Sequence, residues 1–122
     1  MSAEMTAKSI GRFVVNLGRL AKIPRGEGRV FRIGDQLIAV FHSRDSRVFA
    51  TESTCPHKGG PIADGLVGAE KVICPLHAFV FDLTDGHAVG NSCKALKTYP
   101  AMLNDAGEIL VDVEEFFATR AV

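Results

Sequence analysis

The 122-residue sequence predicts a single all-β domain of the sandwich or small-barrel kind. Short apolar or alternating runs recur along the chain, and each is ended by a turn signal such as Gly34-Asp35 or the segment 84–86. Only the segments 16–23 and 114–118 favour a helical turn, and both are short. A chain of this length is ordinarily one domain, so the domain is expected to extend over residues 1–122.

The predicted strands are rich in β-branched and aromatic residues, which fit a pleated and half-buried surface. They are RVFRI (29–33), LIAVF (37–41), RVFAT (47–51), KVIC (71–74), FVFDL (79–83), KTYPAML (97–103) and EILVDV (108–113). In FVFDL the pattern alternates, which places Phe79, Phe81 and Leu83 on one face. The sequence NDAG at 104–107 predicts a hairpin between the last two strands.

Composition excludes several classes of protein. Fourteen basic and fourteen acidic side chains cancel, so neither nucleic acid nor an anionic membrane is an expected partner. No run of apolar residues is long enough for a membrane span, and the N-terminus lacks the apolar centre of a signal peptide. We therefore expect a cytoplasmic protein, with residues 1–10 as a mobile tail. Three cysteines cannot all pair, which argues against a disulfide scaffold.

The candidate site is a set of four metal-ligating residues in two turns. Cys55 and His57 are separated by one residue, Cys74 and His77 by two, and sixteen residues lie between the pairs. A single zinc ion could take all four, but structural zinc sites usually pair like ligands within a turn. The alternative is a two-iron, two-sulfide cluster in which both thiolates bind one iron and both imidazoles bind the other. Two loops approaching such a cluster from opposite sides would supply ligands in this interleaved order.

The residues beside the ligands fit a bulky inorganic group. Gly59 and Gly60 would let the backbone pass close to it and point amides at bridging sulfides. Pro56 and Pro75 would stiffen each turn directly after its cysteine.

The segments CPHKGG (55–60) and CPLHAFVFD (74–82) resemble the signature of Rieske-type iron–sulfur proteins, and the similarity extends over about 13–113. The resemblance implies a fold of three antiparallel sheets, with a cluster-binding subdomain at about 52–90. It also implies that Cys55 and Cys74 bind one iron of a Rieske-type 2Fe-2S cluster, and His57 and His77 the other.

Departures from the quinol-oxidising members of that family indicate a different class. Those members resemble this chain in the ligand turns but join the turns by a disulfide, whereas this chain has Leu76 in the second turn and Lys58, Gly59 and Gly60 in the first. They also hold the cluster with hydroxyl groups where this chain has phenylalanines, at 79 and 81. With fewer donors to sulfur, we expect a potential near the bottom of the Rieske range, which begins at about −150 mV. No membrane anchor is expected.

The sequence is most similar to the small subunit of assimilatory NAD(P)H-dependent nitrite reductase. The segment GNSCKALKTYP (90–100) carries Cys93 where dioxygenase ferredoxins tend to have a proline-rich loop. The resemblance implies an electron carrier with no catalysis of its own, working with a large flavin and sirohaem subunit that reduces nitrite to ammonia. The first alternative is a ferredoxin serving the reductase and oxygenase of a ring-hydroxylating dioxygenase. The second is a zinc-stabilised interaction module.

The sequence also gives expectations for several residues outside the ligand set. Cys93 is expected to be a small buried hydrophobe, and His42 and His87 are expected to be exposed and not ligands. Tyr99 is expected to anchor a loop over the cluster. Three lysines are expected either to steer an acidic partner or simply to solubilise the protein, and they are Lys58, Lys94 and Lys97. Five phenylalanines are expected in the core, and they are Phe13, Phe31, Phe41, Phe49 and Phe81.

Overall fold

The computed structural model describes residues 12–56, 59–76 and 78–114. These residues form eleven β-strands and two short 3₁₀ turns, Leu20–Lys22 and Ile62–Asp64. The strands are β1 (Arg12–Arg19), β2 (Glu27–Ile33), β3 (Gln36–His42), β4 (Val48–Glu52), β5 (Leu66–Val67), β6 (Lys71–Ile73), β7 (Val80–Asp82), β8 (Ala88–Val89), β9 (Thr98–Tyr99), β10 (Ala101–Leu103) and β11 (Glu108–Glu114). The prediction of an all-β fold is confirmed.

The strands form three antiparallel sheets, as the resemblance implied. The first sheet has the order β1-β11-β10, the second β2-β3-β4-β9 and the third β5-β6-β7-β8. The first two sheets enclose the larger core between them. The third sheet and the segment after β4 enclose a smaller core, which contains Cys55 and Cys74. The two predicted ligand turns therefore belong to one half of the molecule.

Strand β3 connects the two cores because both of its faces are buried. Ile38 and Val40 point into the larger core, while Ala39 and Phe41 point into the smaller one, and all four side chains are fully buried. Successive residues of a strand face opposite sides of its sheet. The unbroken apolar run LIAVF is thus explained by burial on two sides.

Gly28 permits the close packing of the smaller core against the second sheet. It lies opposite Phe41 in the β2–β3 register. A Cβ atom at this position would lie 2.7 Å from Phe41 Cδ1 and 2.9 Å from the carbonyl oxygen of Ala63. Only glycine leaves room there for the aromatic ring and the 3₁₀ turn at Ile62–Asp64 to meet on β2.

The predicted helical turn at 16–23 is wrong for its first half, because β1 continues to Arg19 before a 3₁₀ turn begins. The register between β1 and β11 shifts between Asn16 and Arg19, and the Asn16 side chain accepts a hydrogen bond from the Gly18 amide at 2.8 Å. Gly18 has φ +94°, which a glycine adopts without strain. The irregularity places Leu17 and Leu20 against the larger core. These leucines are three residues apart, which is also the spacing of residues on one face of a helix.

The predicted strand 97–103 is divided by Pro100 into two strands of different sheets. β9 pairs with β4 in the second sheet, and β10 pairs with β11 in the first. Proline has no amide hydrogen for a ladder, but its carbonyl oxygen accepts the Asp112 amide at 2.9 Å. The short strands β5 and β8 were not predicted, since two residues carry too little pattern. The expected tail, 1–10, and the second expected helical turn beyond Glu114 lie outside the described residues.

We predict that Ile38→Ala lowers the free energy of unfolding by about 2–5 kcal/mol, because it removes buried methyl groups and leaves a cavity in the larger core. Leu37→Ala is the matched control, since the neighbouring side chain is 45% exposed and its loss should cost less than about 1 kcal/mol. Urea denaturation followed by circular dichroism measures both. Equal losses for the two variants would contradict the assignment of Ile38 to the core.

Candidate metal centre

Backbone hydrogen bonds join the two described parts of the first ligand loop (53–62), which are residues 53–56 and 59–62. Thr54 and Pro61 form an isolated antiparallel bridge, the Cys55 amide donates to the Gly60 carbonyl at 2.8 Å, and the Gly59 amide donates to the Cys55 carbonyl at 2.7 Å. Gly59 has φ +74°. The expectation that the Gly59 amide points at a sulfide is therefore wrong, because that amide closes the turn.

The second ligand loop, residues 74–79, joins β6 to β7. The Cys74 amide donates to the Phe79 carbonyl at 2.7 Å, which closes the loop at its base. Ala78 has φ +57°, so the chain reverses through a left-handed residue just before Phe79. The Leu76 amide lies 3.4 Å from Cys74 Sγ and donates a hydrogen bond to it.

The two loops bring Cys55 and Cys74 together inside the smaller core. Cys55 is 2% exposed and Cys74 is 1% exposed. Neither forms a disulfide, and the Cys55 thiol lies near enough to the Cys74 thiol to raise its pKa. Two residues distant in sequence are thus presented as an adjacent pair of sulfur donors.

Burial raises the pKa of the Cys74 thiol above its ordinary value. The hydrogen bond from the Leu76 amide lowers the pKa, while the neighbouring Cys55 thiol raises it further. Burial and the neighbouring Cys55 thiol thus both favour the protonated form of Cys74 over its thiolate. A metal ion removes this penalty by supplying positive charge to the sulfurs. The pair therefore has the donor chemistry that a thiolate-bound iron requires.

The loops also touch through Gly60. A Cβ atom at Gly60 would lie 3.0 Å from Cγ and Cδ1 of Leu76 and 3.1 Å from Cys74 Sγ. Gly60 is buried, and its φ is not positive, so the glycine is required by space and not by backbone conformation. The first loop thus passes close to the sulfur of the second, and its expected close approach to a cluster stays a prediction. Sequence reasoning missed the role of Leu76 in this contact, and no signal in the sequence identified it.

The predicted ligands His57 and His77 lie outside the described residues, as does Lys58. Among the residues that are described, no group of three or more histidine, cysteine, aspartate or glutamate side chains is gathered for a metal ion. The structure therefore shows the thiol half of the predicted ligand set.

The other two histidines differ from each other. His42 is 9% exposed, and its Nδ1 lies 2.6 Å from the Ile23 carbonyl oxygen, so the expectation of an exposed His42 is wrong. His42 is the last residue of β3 and continues its buried run, which a polar residue at the end of a predicted strand did not indicate. His87 is exposed, as expected, and its Nδ1 lies 2.6 Å from an Asp85 carboxylate oxygen.

Cys93 is half-buried and packs against the smaller core, so it behaves as a small apolar side chain without being fully enclosed. Tyr99 packs in the larger core, whereas the cysteines lie in the smaller one, and its expected role of anchoring a loop over the cluster stays a prediction. Lys94 and Lys97 are exposed, and the Lys97 ammonium lies 5.3 Å from the centre of the Tyr99 ring.

Four of the five phenylalanines expected in the core are described at the level of their side chains. Phe41 and Phe81 are fully buried, and Phe31 and Phe49 are half-buried against a core. The side chain of Phe13 lies outside the described part of the structure. Within the described ranges, no helix is long and apolar enough to cross a membrane.

The comparisons with known proteins that follow each cover most of the chain. The family model described as the Rieske [2Fe-2S] domain matches residues 13–100. The ferredoxin component of the naphthalene 1,2-dioxygenase and salicylate 5-hydroxylase systems of Ralstonia sp. is 29% identical over 87 residues, which are 70% of this chain and 83% of the relative.

Two solved structures extend the comparison. The ferredoxin of carbazole 1,9a-dioxygenase from Nocardioides aromaticivorans IC177 is 27% identical with a TM-score of 0.70, covering 80% of this chain and 95% of the other. A protein assigned as the small subunit of an NADPH nitrite reductase is 25% identical with a TM-score of 0.72, covering 81% and 97%. Because the family match includes both ligand loops and strands of all three sheets, the chain belongs to the Rieske [2Fe-2S] family and is an electron-transfer domain with a Rieske-type 2Fe-2S cluster.

Proposed function

We propose that this chain is the electron-transfer small subunit of an NAD(P)H-dependent nitrite reductase, which reduces nitrite to ammonia. Electrons from NAD(P)H enter a large cytoplasmic partner subunit that carries flavin and sirohaem, and this domain lies in or beside their path. All coordination positions of the cluster are filled by protein ligands and sulfide, so the domain binds no substrate at iron. Its contribution is to hold the cluster and present it to the partner.

In the same proposal, Cys55 and Cys74 bind one iron, and His57 and His77 bind the other. The two buried thiols support the first pair, because they are adjacent, unpaired and able to neutralise one cation. Each histidine follows its cysteine by two or three residues. The imidazoles, on the side away from iron, are the route by which an electron leaves.

The observation that carries the nitrite reductase assignment is the segment 90–97. It forms no strand, and it covers the smaller core with Cys93 and Leu96 instead of with prolines. The Leu96 amide donates to the Gly86 carbonyl and the Cys93 amide to the Asn91 side chain, at 2.7 and 2.8 Å. The similarity to a protein assigned as a nitrite reductase small subunit, over 97% of its length, supports the same choice.

A second candidate is the ferredoxin component of an aromatic-ring dioxygenase, with a reductase and an oxygenase as partners. The relative from Ralstonia sp. favours it, since that protein is a dioxygenase ferredoxin by name and aligns over 83% of its length. The fold itself is similar to both classes, with TM-scores of 0.70 and 0.72. The choice between them therefore rests on the segment 90–97 and on the partner.

We predict that deletion of the gene abolishes growth on nitrite as the sole nitrogen source, because the large subunit loses its electron-transfer partner. A plasmid copy should restore growth, and a copy with Cys55→Ser should not. An affinity-tagged protein should co-purify with a subunit that shows sirohaem absorption. Normal growth on nitrite, combined with failure to oxidise an aromatic substrate, would favour the dioxygenase role instead.

We predict that Cys55→Ser and Cys74→Ser each remove the cluster, whereas Cys93→Ser retains it. The first two substitutions take away an iron ligand, and the third changes a half-buried side chain outside the ligand set. Iron and acid-labile sulfide analysis, with an electron paramagnetic resonance (EPR) spectrum of the reduced protein, measures the effect. Zinc in place of iron in the unsubstituted protein would establish the interaction-module alternative.

We predict that the midpoint potential is independent of pH near neutrality and falls as the pH rises through the pKa values of the iron-bound imidazoles. Bound imidazole loses its remaining proton more readily in the oxidised state, so deprotonation favours that state. The slope should approach about 59 mV per pH unit for each proton released per electron. Protein-film voltammetry from pH 6 to 11 measures it, and a constant potential over that range would contradict histidine ligation.

A further inference from the structure

Leu76 lies at the contact between the two ligand loops. Its side chain packs over Gly60 so closely that a Cβ atom there would lie 3.0 Å from Cγ and Cδ1 of Leu76. The same Cβ atom would lie 3.1 Å from Cys74 Sγ, so the leucine side chain and the sulfur are both neighbours of one small backbone position. The contact is apolar and has no room for water between its partners.

Each partner in this contact is tied to one of the cysteines. The Gly60 carbonyl accepts the Cys55 amide at 2.8 Å, and the Leu76 amide donates to Cys74 Sγ at 3.4 Å. The contact of Gly60 with Leu76 therefore connects the two short segments that carry the cysteines. No disulfide performs this task in the described part of the chain, because Cys55 and Cys74 are both free.

The position of Leu76 also bears on the access of water. Its side chain is 40% exposed, whereas Cys55 and Cys74 are 2% and 1% exposed. The leucine thus has one face in solvent and one face beside the sulfur. Removing the side chain beyond Cβ would open a path from solvent to Cys74.

We propose that Leu76 is a positioning residue for the cluster. Its side chain holds the first loop against the second and keeps water away from the sulfur-ligated iron, and it thereby sets how long the cluster is retained and at what potential it is reduced. This inference rests on the ligand assignment proposed above. It adds to that assignment a residue that binds no metal itself.

The test compares three variants of the cluster-loaded protein. Leu76→Ala should lose its cluster to a chelator roughly tenfold faster than the unsubstituted protein, which is the lower end of the range for losing an outer-shell partner. Its midpoint potential should rise, because water stabilises the more negatively charged reduced cluster. Leu76→Met keeps the volume of the side chain and should restore both properties. Leu103→Ala is the matched control, since Leu103 is 39% exposed and lies on β10 in the first sheet.

The measurements are anaerobic bleaching of the visible absorption in a chelator and a redox titration followed by EPR. The inference is overturned if Leu76→Ala matches Leu103→Ala in both. It is also overturned if Leu76→Met loses the cluster as completely as Leu76→Ala. A colourless but cooperatively folded Leu76→Ala, beside a loaded Leu76→Met, supports it. Failure of the unsubstituted protein to give a Rieske EPR signal overturns the ligand assignment itself, and that result is seen before any variant is made.

Discussion

Burial of β3 on both faces is the constraint on which the arrangement of the molecule depends. One face of the strand packs in the larger core and the other in the smaller core, so β3 belongs to both halves of the molecule. Gly28 extends this arrangement by allowing the ring of Phe41 to approach β2. The ligand loops therefore stand on a support that cannot move relative to the rest of the domain without exposing an apolar face, which would cost free energy in proportion to its area.

The buried cysteine pair gives the site its chemistry. Two thiols placed together in an apolar core raise the pKa of Cys74, and this makes the free thiolate form unfavourable. Under the proposed ligand assignment, iron would reverse that preference, because a cation bound by both sulfurs stabilises their thiolate forms.

Two neighbouring glycines of the first ligand loop have different tasks. Gly59 has a positive φ, and no atom of the described residues lies within 4 Å of the position where a Cβ would stand, so it serves the turn. Gly60 has neighbours at 3.0–3.1 Å and an ordinary φ, so it serves the contact with Leu76 and Cys74. Adjacent and identical residues thus perform two tasks, one conformational and one steric. Only the second task links the loops to each other.

The sequence by itself determined the all-β class, most of the strands and the two ligand loops, because alternation, turn residues and short ligand spacings are local. It also led to three sheets, through resemblance to a known family. Only the tertiary structure decided that β1 replaces a helical turn, that Pro100 divides one predicted strand between two sheets, and that His42 is buried. It alone brought Leu76 onto Gly60. These features depend on pairing and packing between residues far apart in the chain, and such contacts leave no periodic pattern in the sequence.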